Sequence, residues 1–151
     1  MELPFQDENQ QAINLPLASF WARFGALLLD SFLISLVTVL VFTVAGIPLI
    51  TTPDDLTNQL SSQLVNTFIA WIYYAGFESS RLQATIGKQL FGIFVTDENG
   101  HRISFGRATG RFFAKLLSGL LLLVGYIMAA FTARRQALHD KLAGTLVFRH
   151  L

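Results

Sequence analysis

Two ionisable residues lie inside a long apolar stretch near the start of the chain. Arg23 and Asp30 interrupt the run LASFWARFGALLLDSFLISLVTVLVF, which covers residues 17–42. On a helix they share one face but lie about 10 Å apart along the axis, and Arg23 leans away from Asp30, so a direct bond between them is not expected. A carboxylate in hydrocarbon costs on the order of 2.5–3.5 kcal/mol unless it is paired, protonated or hydrated. We therefore expect Asp30 to face protein.

Partners for these two charges are expected in other parts of the chain. Asp140 follows the last apolar run, from which it can meet Arg23 at the membrane interface. Asn66 and Thr67 of the second apolar run are the partners expected for Asp30, with a basic group of the polar segments as the alternative. Polar contacts can hold membrane helices together, whereas intramembrane carboxylates often mark ion or proton pathways. We therefore favour a structural role for Arg23 and Asp140 and a functional role for Asp30.

Other candidate chemistry is sparse. The chain has no cysteine, which excludes disulfides, thiolate metal sites and thiol catalysis. His139 stands beside Asp140, but the three histidines lack a metal-binding spacing such as HExxH. Lys88 follows Gly87 without the upstream glycine of a phosphate-binding loop; Thr85 is expected to cap its helix, and Lys88 to face lipid headgroups or Asp140. We expect no catalytic residue, metal or cofactor, and therefore no enzyme.

The composition is typical of a membrane protein. The 151 residues are 52% hydrophobic and 14% charged, with a mean hydropathy of +0.49, whereas about a quarter of the residues of a soluble domain are charged. The net charge of +1 does not indicate a nucleic-acid partner, and the partner implied is the lipid bilayer. Residues 1–16 lack the basic start of a signal peptide. They are expected to form a disordered tail before one membrane domain, residues 17–151.

Three apolar runs indicate the membrane segments. Residues 20–30 together with the uncharged residues 31–52 are long enough for a helix that crosses a bilayer. Residues 56–77 form a second uncharged run, and residues 116–133 a third that is close to the lower limit of length for a span. The predicted fold is an all-α membrane protein, a helical bundle with two long transmembrane helices, a third short or re-entrant apolar hairpin, and a small cytoplasmic β-hairpin or ribbon.

A short β structure is predicted between the second and third runs. Asn99 and Gly100 form the strongest short hairpin signal, because both residue types tolerate positive φ. Strands are expected near residues 92–96 and 102–104. If the chain ends on the same side of the membrane, a C-terminal strand at residues 145–148 can pair with residues 92–96.

A helix is predicted to follow, with Ser104 as its N-cap. Arg107, Arg111 and Lys115 recur every fourth residue, so they line one face of this helix. A basic face next to an apolar run is typical of a helix at an anionic lipid surface. An ordinary solvated helix face is the alternative.

The basic residues predict the orientation. Six lie in residues 78–115 and four in residues 134–151, and Lys and Arg are enriched on the cytoplasmic side. The N-terminus is expected to be cytoplasmic. If residues 116–133 cross the membrane completely, the two basic segments lie on opposite sides, whereas a re-entrant segment leaves both in the cytoplasm.

Three sequence segments together resemble the RDD family of small membrane proteins. They are FWARFGALLLDSFLI, ATIGKQLFGIFVTDENGHRISFGRATGRFFAKLL and LHDKLAGTLVFRH. The arginine and two aspartates that give the family its name match Arg23, Asp30 and Asp140. The resemblance implies a multi-pass integral membrane protein, mainly of the bacterial inner membrane. The family has no settled biochemical activity, although transport of unidentified ligands has been suggested for it.

Two functions are compatible with these observations. The first is transport of a small cation or proton past Asp30, and it requires a homo-oligomer because three short spans cannot enclose a pathway. The second is a non-transport accessory or scaffold role, in which the basic cytoplasmic segments dock a membrane-protein partner.

Overall fold

The longest element of the fold is an apolar helix near the N-terminus. A computed structural model describes residues 15–120 and 131–150, and within them α1 covers Phe20–Ala45. Ser19 caps its start by accepting a hydrogen bond from the Ala22 amide, and Gly46 ends it in the left-handed conformation. Among the described residues, α1 is the one helix long and apolar enough to cross a membrane. Only 11% of its most apolar window is buried, so it is not the core helix of a soluble domain.

The second long helix lies antiparallel to α1. Helix α2 covers Leu56–Ser79, and side-chain hydrogen bonds join Asp30 to Tyr73 and Thr38 to Asn66. As the residue number increases along α1, the number of the bonded residue in α2 decreases, so the two helices run in opposite directions. Helix α2 has the length of a span, but its polar first half keeps it below the apolarity that α1 reaches. The length of the second predicted transmembrane helix is thus present.

Short elements form a compact polar domain at one end of the two long helices. In chain order they are α3 (Ile86–Leu90), β1 (Ile93–Asp97), α4 (Phe105–Leu120), α5 (Leu138–Ala143) and β2 (Thr145–Arg149). As predicted, Thr85 caps α3 and Ser104 caps α4, each by accepting an amide hydrogen bond. Gly144, at φ 60°, ends α5 and turns the chain into β2. The described fold is therefore mostly helical with one small sheet.

The sheet differs from the predicted hairpin. Asn99 and Gly100 do form a tight turn, in which the Asp97 carboxylate accepts from the Asn99 and His101 amides. The strand predicted at residues 102–104 is wrong, because the turn leads directly into α4. The partner of β1 is the C-terminal strand β2, and the two are antiparallel. This pairing was predicted for the case in which the chain ends on the same side of the membrane as β1.

Both faces and both edges of the small sheet are covered. Ile93, Val95 and Val147 pack with alanines of α1, α2 and α4 on one face, and the aromatic rings of Phe94 and Phe148 pack on the other. The backbone of residues 16–18 bonds to the outer edge of β2, and Gln83 bonds to the outer edge of β1. A buried two-stranded ribbon without an open edge cannot recruit further strands. It fixes α5 and the start of α1 in place.

Two predictions fall wholly or partly outside the described residues. The third apolar run covers residues 116–133, of which residues 116–120 belong to α4, so its re-entrant or crossing path is not described. The predicted N-terminal tail covers residues 1–16, of which only Leu15 and Pro16 are described. These two belong to the fold, because Leu15 packs against the sheet and the Pro16 carbonyl accepts from the Arg149 amide.

Candidate functional site

Asp140 lies at the centre of a buried group of charges. It occupies the first turn of α5, where its carboxylate accepts a hydrogen bond from the Ala137 amide. Arg23 donates from Nη1 to Oδ2, and Arg111 donates from Nε and Nη2 to Oδ1 at 3.0 and 2.6 Å. The carboxylate is fully buried. The Arg23–Asp140 pair expected from the sequence is therefore present, and Arg111 is a second partner.

Arg111 connects this carboxylate to a second one, that of Glu78. Its Nη1 donates to Glu78 Oε2 at 2.6 Å, and its side chain is only 2% exposed. Glu78 ends the apolar part of α2 and is itself buried. Its other oxygen accepts from Lys88 Nζ at 2.6 Å and from Lys115 Nζ at 3.0 Å. Lys115 also lies over the Tyr74 ring, 3.9 Å from its centroid, so each lysine is fixed by the end of α2.

Among the described residues, six make up this charge cluster, and basic side chains outnumber acidic ones. The members are Arg23, Glu78, Lys88, Arg111, Lys115 and Asp140. Four cations thus surround two carboxylates. His139 lies next to Asp140 with Nε2 at 3.5 Å from Oδ1, and burial lowers its pKa well below the ordinary value, which keeps the imidazole neutral. The cluster therefore carries more positive than negative charge in a region from which water is largely excluded.

Burial and ion pairing act against each other on the cluster's pKa values. For Asp140, burial raises the pKa, but Arg111 and Arg23 outweigh it and hold the pKa far below its usual range. For Lys88, burial outweighs the attraction of Glu78, and the pKa falls to about 7. Asp140 is thus a permanent anion, whereas Lys88 titrates near neutral pH.

Asp30 belongs to a separate group of bonds, which we call the Asp30 junction. Tyr73 Oη and the Gly87 amide donate to Oδ1 at 2.7 and 2.8 Å, and Thr85 Oγ1 donates to Oδ2 at 2.6 Å. The carboxylate is 1% exposed. Gly87 has to be glycine here, because an added Cβ would lie 2.7 Å from Asp30 Oδ1 and would meet the Ala26 carbonyl of α1. The junction joins α1, α2 and α3.

The structure corrects several contacts expected from the sequence. Asn66 and Thr67 are wrong as partners of Asp30, which Tyr73, Thr85 and Gly87 bind instead; Asn66 accepts from Thr38. Asn66 lies about two helical turns before Tyr73 on α2, too far along the helix axis to reach Asp30.

The basic residues of the polar domain are placed differently as well. Lys88 faces neither headgroups nor Asp140, because Glu78 holds its ammonium group. Arg111 is buried and Lys115 half-buried in the charge cluster, where both bind Glu78 and neither lies on a lipid surface. Arg107 alone of that helix face is exposed, and it lies 3.6 Å from Asp97.

The five residues singled out from the sequence thus fall into two neighbouring groups. Arg23, His139 and Asp140 are together, and Lys88 is linked to them through residues that the sequence did not indicate, Glu78 and Arg111. Asp30 is separate, but Lys88 follows Gly87 of the Asp30 junction directly, so α3 touches both groups. The sequence held one indication that Glu78 belongs to the site, because it is the first charged residue after a long uncharged run.

The chemistry available at these groups is electrostatic and structural. Within residues 15–120 and 131–150, no three or more histidines, cysteines or carboxylates are grouped so that they could hold a metal ion. Each described carboxylate of the two groups already accepts several strong hydrogen bonds. Charge-assisted bonds of this kind fix the relative positions of helices. The unusual property of the site is that its basic side chains outnumber its carboxylates.

A long apolar helix, exposed along most of its length and joined at its base to a small polar domain by buried ion pairs, defines a helical membrane protein. The chain belongs to the RDD family, whose model matches residues 17–144. The resemblance carried by Arg23, Asp30 and Asp140 is thereby confirmed at the level of the family, and family and helix α1 together support a membrane location.

Three proteins of Bacillus subtilis (strain 168) are similar to the chain. "Uncharacterized protein YxaI" is 32% identical over 145 residues, which cover 86% of this chain and 95% of that protein. "Uncharacterized membrane protein YteJ" is 30% identical over 140 residues, covering 86% and 79%. "Uncharacterized protein YckC" is 27% identical, covering 86% and 83%. No solved structure matches the chain.

Proposed function

We propose that the chain is a multi-pass protein of the bacterial inner membrane that serves as a non-transport accessory or scaffold. The observation that carries the proposal is the Asp30 junction. Transport of a cation or proton past Asp30 needs this carboxylate to exchange protons or ions with water, whereas three donors already bind its oxygens and it is 1% exposed. A carboxylate bound in this way favours a fixed attachment of the polar domain to the membrane helices.

The outer face of α2 supports a second membrane span. Large apolar side chains recur on it every fourth residue and are exposed, namely Leu56, Leu60, Leu64, Phe68 and Ile72. Successive residues of this set are neighbours on the helix surface, and together they form an exposed stripe about 24 Å long that winds slowly around the helix. An exposed apolar stripe of that length is unfavourable in water but is well matched to acyl chains. The polar side chains that lower the overall apolarity of α2 include Asn66, which bonds to Thr38 of α1 inside the helix pair.

The distribution of exposed charges supports a cytoplasmic N-terminus and polar domain. Exposed basic residues concentrate on the polar domain, namely Arg81, Arg102, Arg107, Arg134, Arg135, Lys141 and Arg149. The connection between α1 and α2 carries Asp54 and Asp55 and no basic residue. This asymmetry follows the positive-inside rule. The exposed basic residues also give the accessory role its docking surface, which suits an acidic cytoplasmic segment of a membrane-protein partner.

An ion-flux measurement in liposomes separates the two functions. Purified protein is reconstituted with cation- and pH-sensitive dyes, and wild type is compared with Asp30→Asn and with protein-free vesicles. We expect the same leak in all three and a less stable Asp30→Asn protein. The substitution turns one acceptor oxygen into an NH2 donor, which opposes either the Thr85 hydroxyl or the Tyr73 hydroxyl together with the Gly87 amide. Flux that is present in wild type and absent in a folded Asp30→Asn variant would overturn the proposal and establish transport.

A further inference from the structure

Arg23 has a pair of donors that no described residue accepts from. Its Nη1 donates to Asp140, but its Nε and Nη2 have no hydrogen-bond partner among the described residues, and both nitrogens are covered. In arginine, Nε and Nη2 form one edge of the planar guanidinium, which donates two parallel hydrogen bonds. Such an edge matches two oxygens of a carboxylate or phosphate. Here it is empty.

The same edge is filled in the other buried arginine of the cluster. Arg111 uses Nε and Nη2 for Asp140 Oδ1 and Nη1 for Glu78. Both carboxylates of the cluster are therefore already shared between several cations, and neither has an oxygen left for the Arg23 edge. Among the described residues the cluster also has four basic side chains to two carboxylates, and its charge stays positive when Lys88 releases its proton. An unused bidentate edge and an excess of positive charge both call for an anion from outside the described chain.

The position of Arg23 indicates which anion it meets. Arg23 lies in the first turns of α1, where the long apolar helix begins. Trp21 beside it is 74% exposed, and its ring contacts those of Phe20 and Phe24. Exposed tryptophan at the end of a membrane helix is typical of the headgroup level, which is the depth of the lipid phosphates. Exposed Arg135 donates to the Leu17 carbonyl nearby and adds positive charge.

We propose that the Nε–Nη2 edge of Arg23 binds the phosphate oxyanion of an anionic phospholipid headgroup in the cytoplasmic leaflet. Nη1 keeps its bond to Asp140, and the side chains that cover the edge shift to admit the phosphate. The bound headgroup then supplies negative charge that the cluster lacks. The lipid source rests on the membrane orientation given under the proposed function, whereas recognition of the oxyanion by Arg23 does not.

The test measures lipid and phosphate binding by the full chain in a neutral detergent. Native mass spectrometry compares retention of phosphatidylglycerol with that of phosphatidylcholine, and inorganic phosphate is added as a competitor. Arg23→Lys keeps the charge and one donor for Asp140 but removes the planar edge. Arg107→Lys is the matched control, because Arg107 is an exposed arginine of the polar domain. We expect wild type and Arg107→Lys to retain phosphatidylglycerol selectively and Arg23→Lys to bind it about tenfold more weakly.

A measurement on the wild type keeps the proposal testable if Arg23→Lys does not fold. The ¹⁵N–¹H resonance of Arg23 Nε is followed during addition of phosphatidylglycerol or phosphate, and it should shift when the oxyanion binds. A shift with lipid that excess inorganic phosphate does not reverse supports the headgroup as the source. A shift with inorganic phosphate alone supports the edge as an oxyanion site for a soluble phosphate and overturns the lipid source, which would leave the scaffold proposal unaffected. No shift with either ligand, or equal retention by wild type and a folded Arg23→Lys, would overturn the inference.

Discussion

At the scale of residues, Arg111 has the central position, because one guanidinium group connects two buried carboxylates on different helices. Through it, Glu78 of α2 and Asp140 of α5 are held at fixed positions relative to α4. Bonds between charged groups that are both buried are costly to break, because removing one partner leaves the other charge without compensation. The stability of the polar domain should therefore respond sharply to single substitutions in this cluster.

We expect Asp140→Asn to lower the free energy of unfolding by about 3–5 kcal/mol, because Arg23 and Arg111 lose the buried charge that compensates them. The measurement is denaturant unfolding in detergent, followed by tryptophan fluorescence. The control is Asp54→Asn, an exposed aspartate of the α1–α2 connection, which should change stability by less than about 0.5 kcal/mol. Exchanging the charges of Arg23 and Asp140 should not restore stability, because an arginine at position 140 would face Arg111. Equal stability of Asp140→Asn and Asp54→Asn would contradict the stabilising role of the buried ion pairs.

Lys88 should make the stability depend on pH. Its pKa is about 7 in the folded protein, against an ordinary value of 10.5. Between these values the unfolded chain holds a proton that the folded protein has released, so stability rises as the pH increases, by at most about 1.4 kcal/mol per pH unit. Unfolding of wild type and Lys88→Met is compared across this range. The variant should show a smaller slope, and identical slopes would mean that Lys88 stays protonated beside Glu78.

At the scale of elements, the five-residue helix α3 has an importance that its length does not suggest. It packs on α1 at Gly87, and the Thr85 hydroxyl caps its start. The Lys88 side chain donates to Glu78 at the end of α2. The contact with α1 depends on the missing side chain at Gly87, since the helix backbone and the Asp30 carboxylate fill the space that a Cβ would need.

We expect Gly87→Ala to destabilise the fold by about 1–3 kcal/mol, because the added methyl group forces α3 away from α1. Gly106→Ala is a matched control in α4, where an added Cβ meets nothing within 4 Å. That control should be neutral or more stable by up to about 1 kcal/mol, because alanine favours a helix. Thermal unfolding measured by circular dichroism distinguishes the two. Equal behaviour of both variants would contradict the close approach of α3 to α1.

Local sequence patterns could predict the elements better than their partners. The long helix, the caps at Thr85 and Ser104, and the strand that pairs with β1 all follow from periodicity or capping residues. The second strand of the hairpin was misplaced, because the turn at Gly100 gives no information on a strand that returns from the C-terminus. The burial of Arg111 was missed for a similar reason: a basic helix face looks the same whether lipid phosphates or two distant carboxylates neutralise it.

At the scale of the whole molecule, the two ends of the long helices differ in the sign of their exposed charges. The polar domain carries the exposed basic residues, and the α1–α2 connection carries the exposed Asp54 and the half-buried Asp55. In the proposed arrangement, the α1–α2 connection therefore lies on the outer side of the cytoplasmic membrane, and the polar domain lies in the cytoplasm.

Cysteine labelling tests this orientation, and the natural chain contains no cysteine that would interfere. We expect Asp54→Cys to react in intact cells with a membrane-impermeant maleimide, because it lies in the α1–α2 connection. Lys141→Cys, exposed on α5, should react only after the cells are lysed. Reaction of both in intact cells would place the polar domain on the outer side or across both sides, and would reject the proposed topology.

The distance in sequence between Arg23 and its partner has a consequence for biogenesis. Asp140 follows Arg23 by 117 positions, so the ribosome delivers α1 to the translocon long before the carboxylate that pairs with it exists. We therefore expect α1 to reach the membrane before the charge cluster assembles, and a nascent chain without α5 would leave Arg23 without its carboxylate partner. We expect such a fragment to be less stable than a chain that contains α5, so the polar domain depends on a segment that is made long after its first helix.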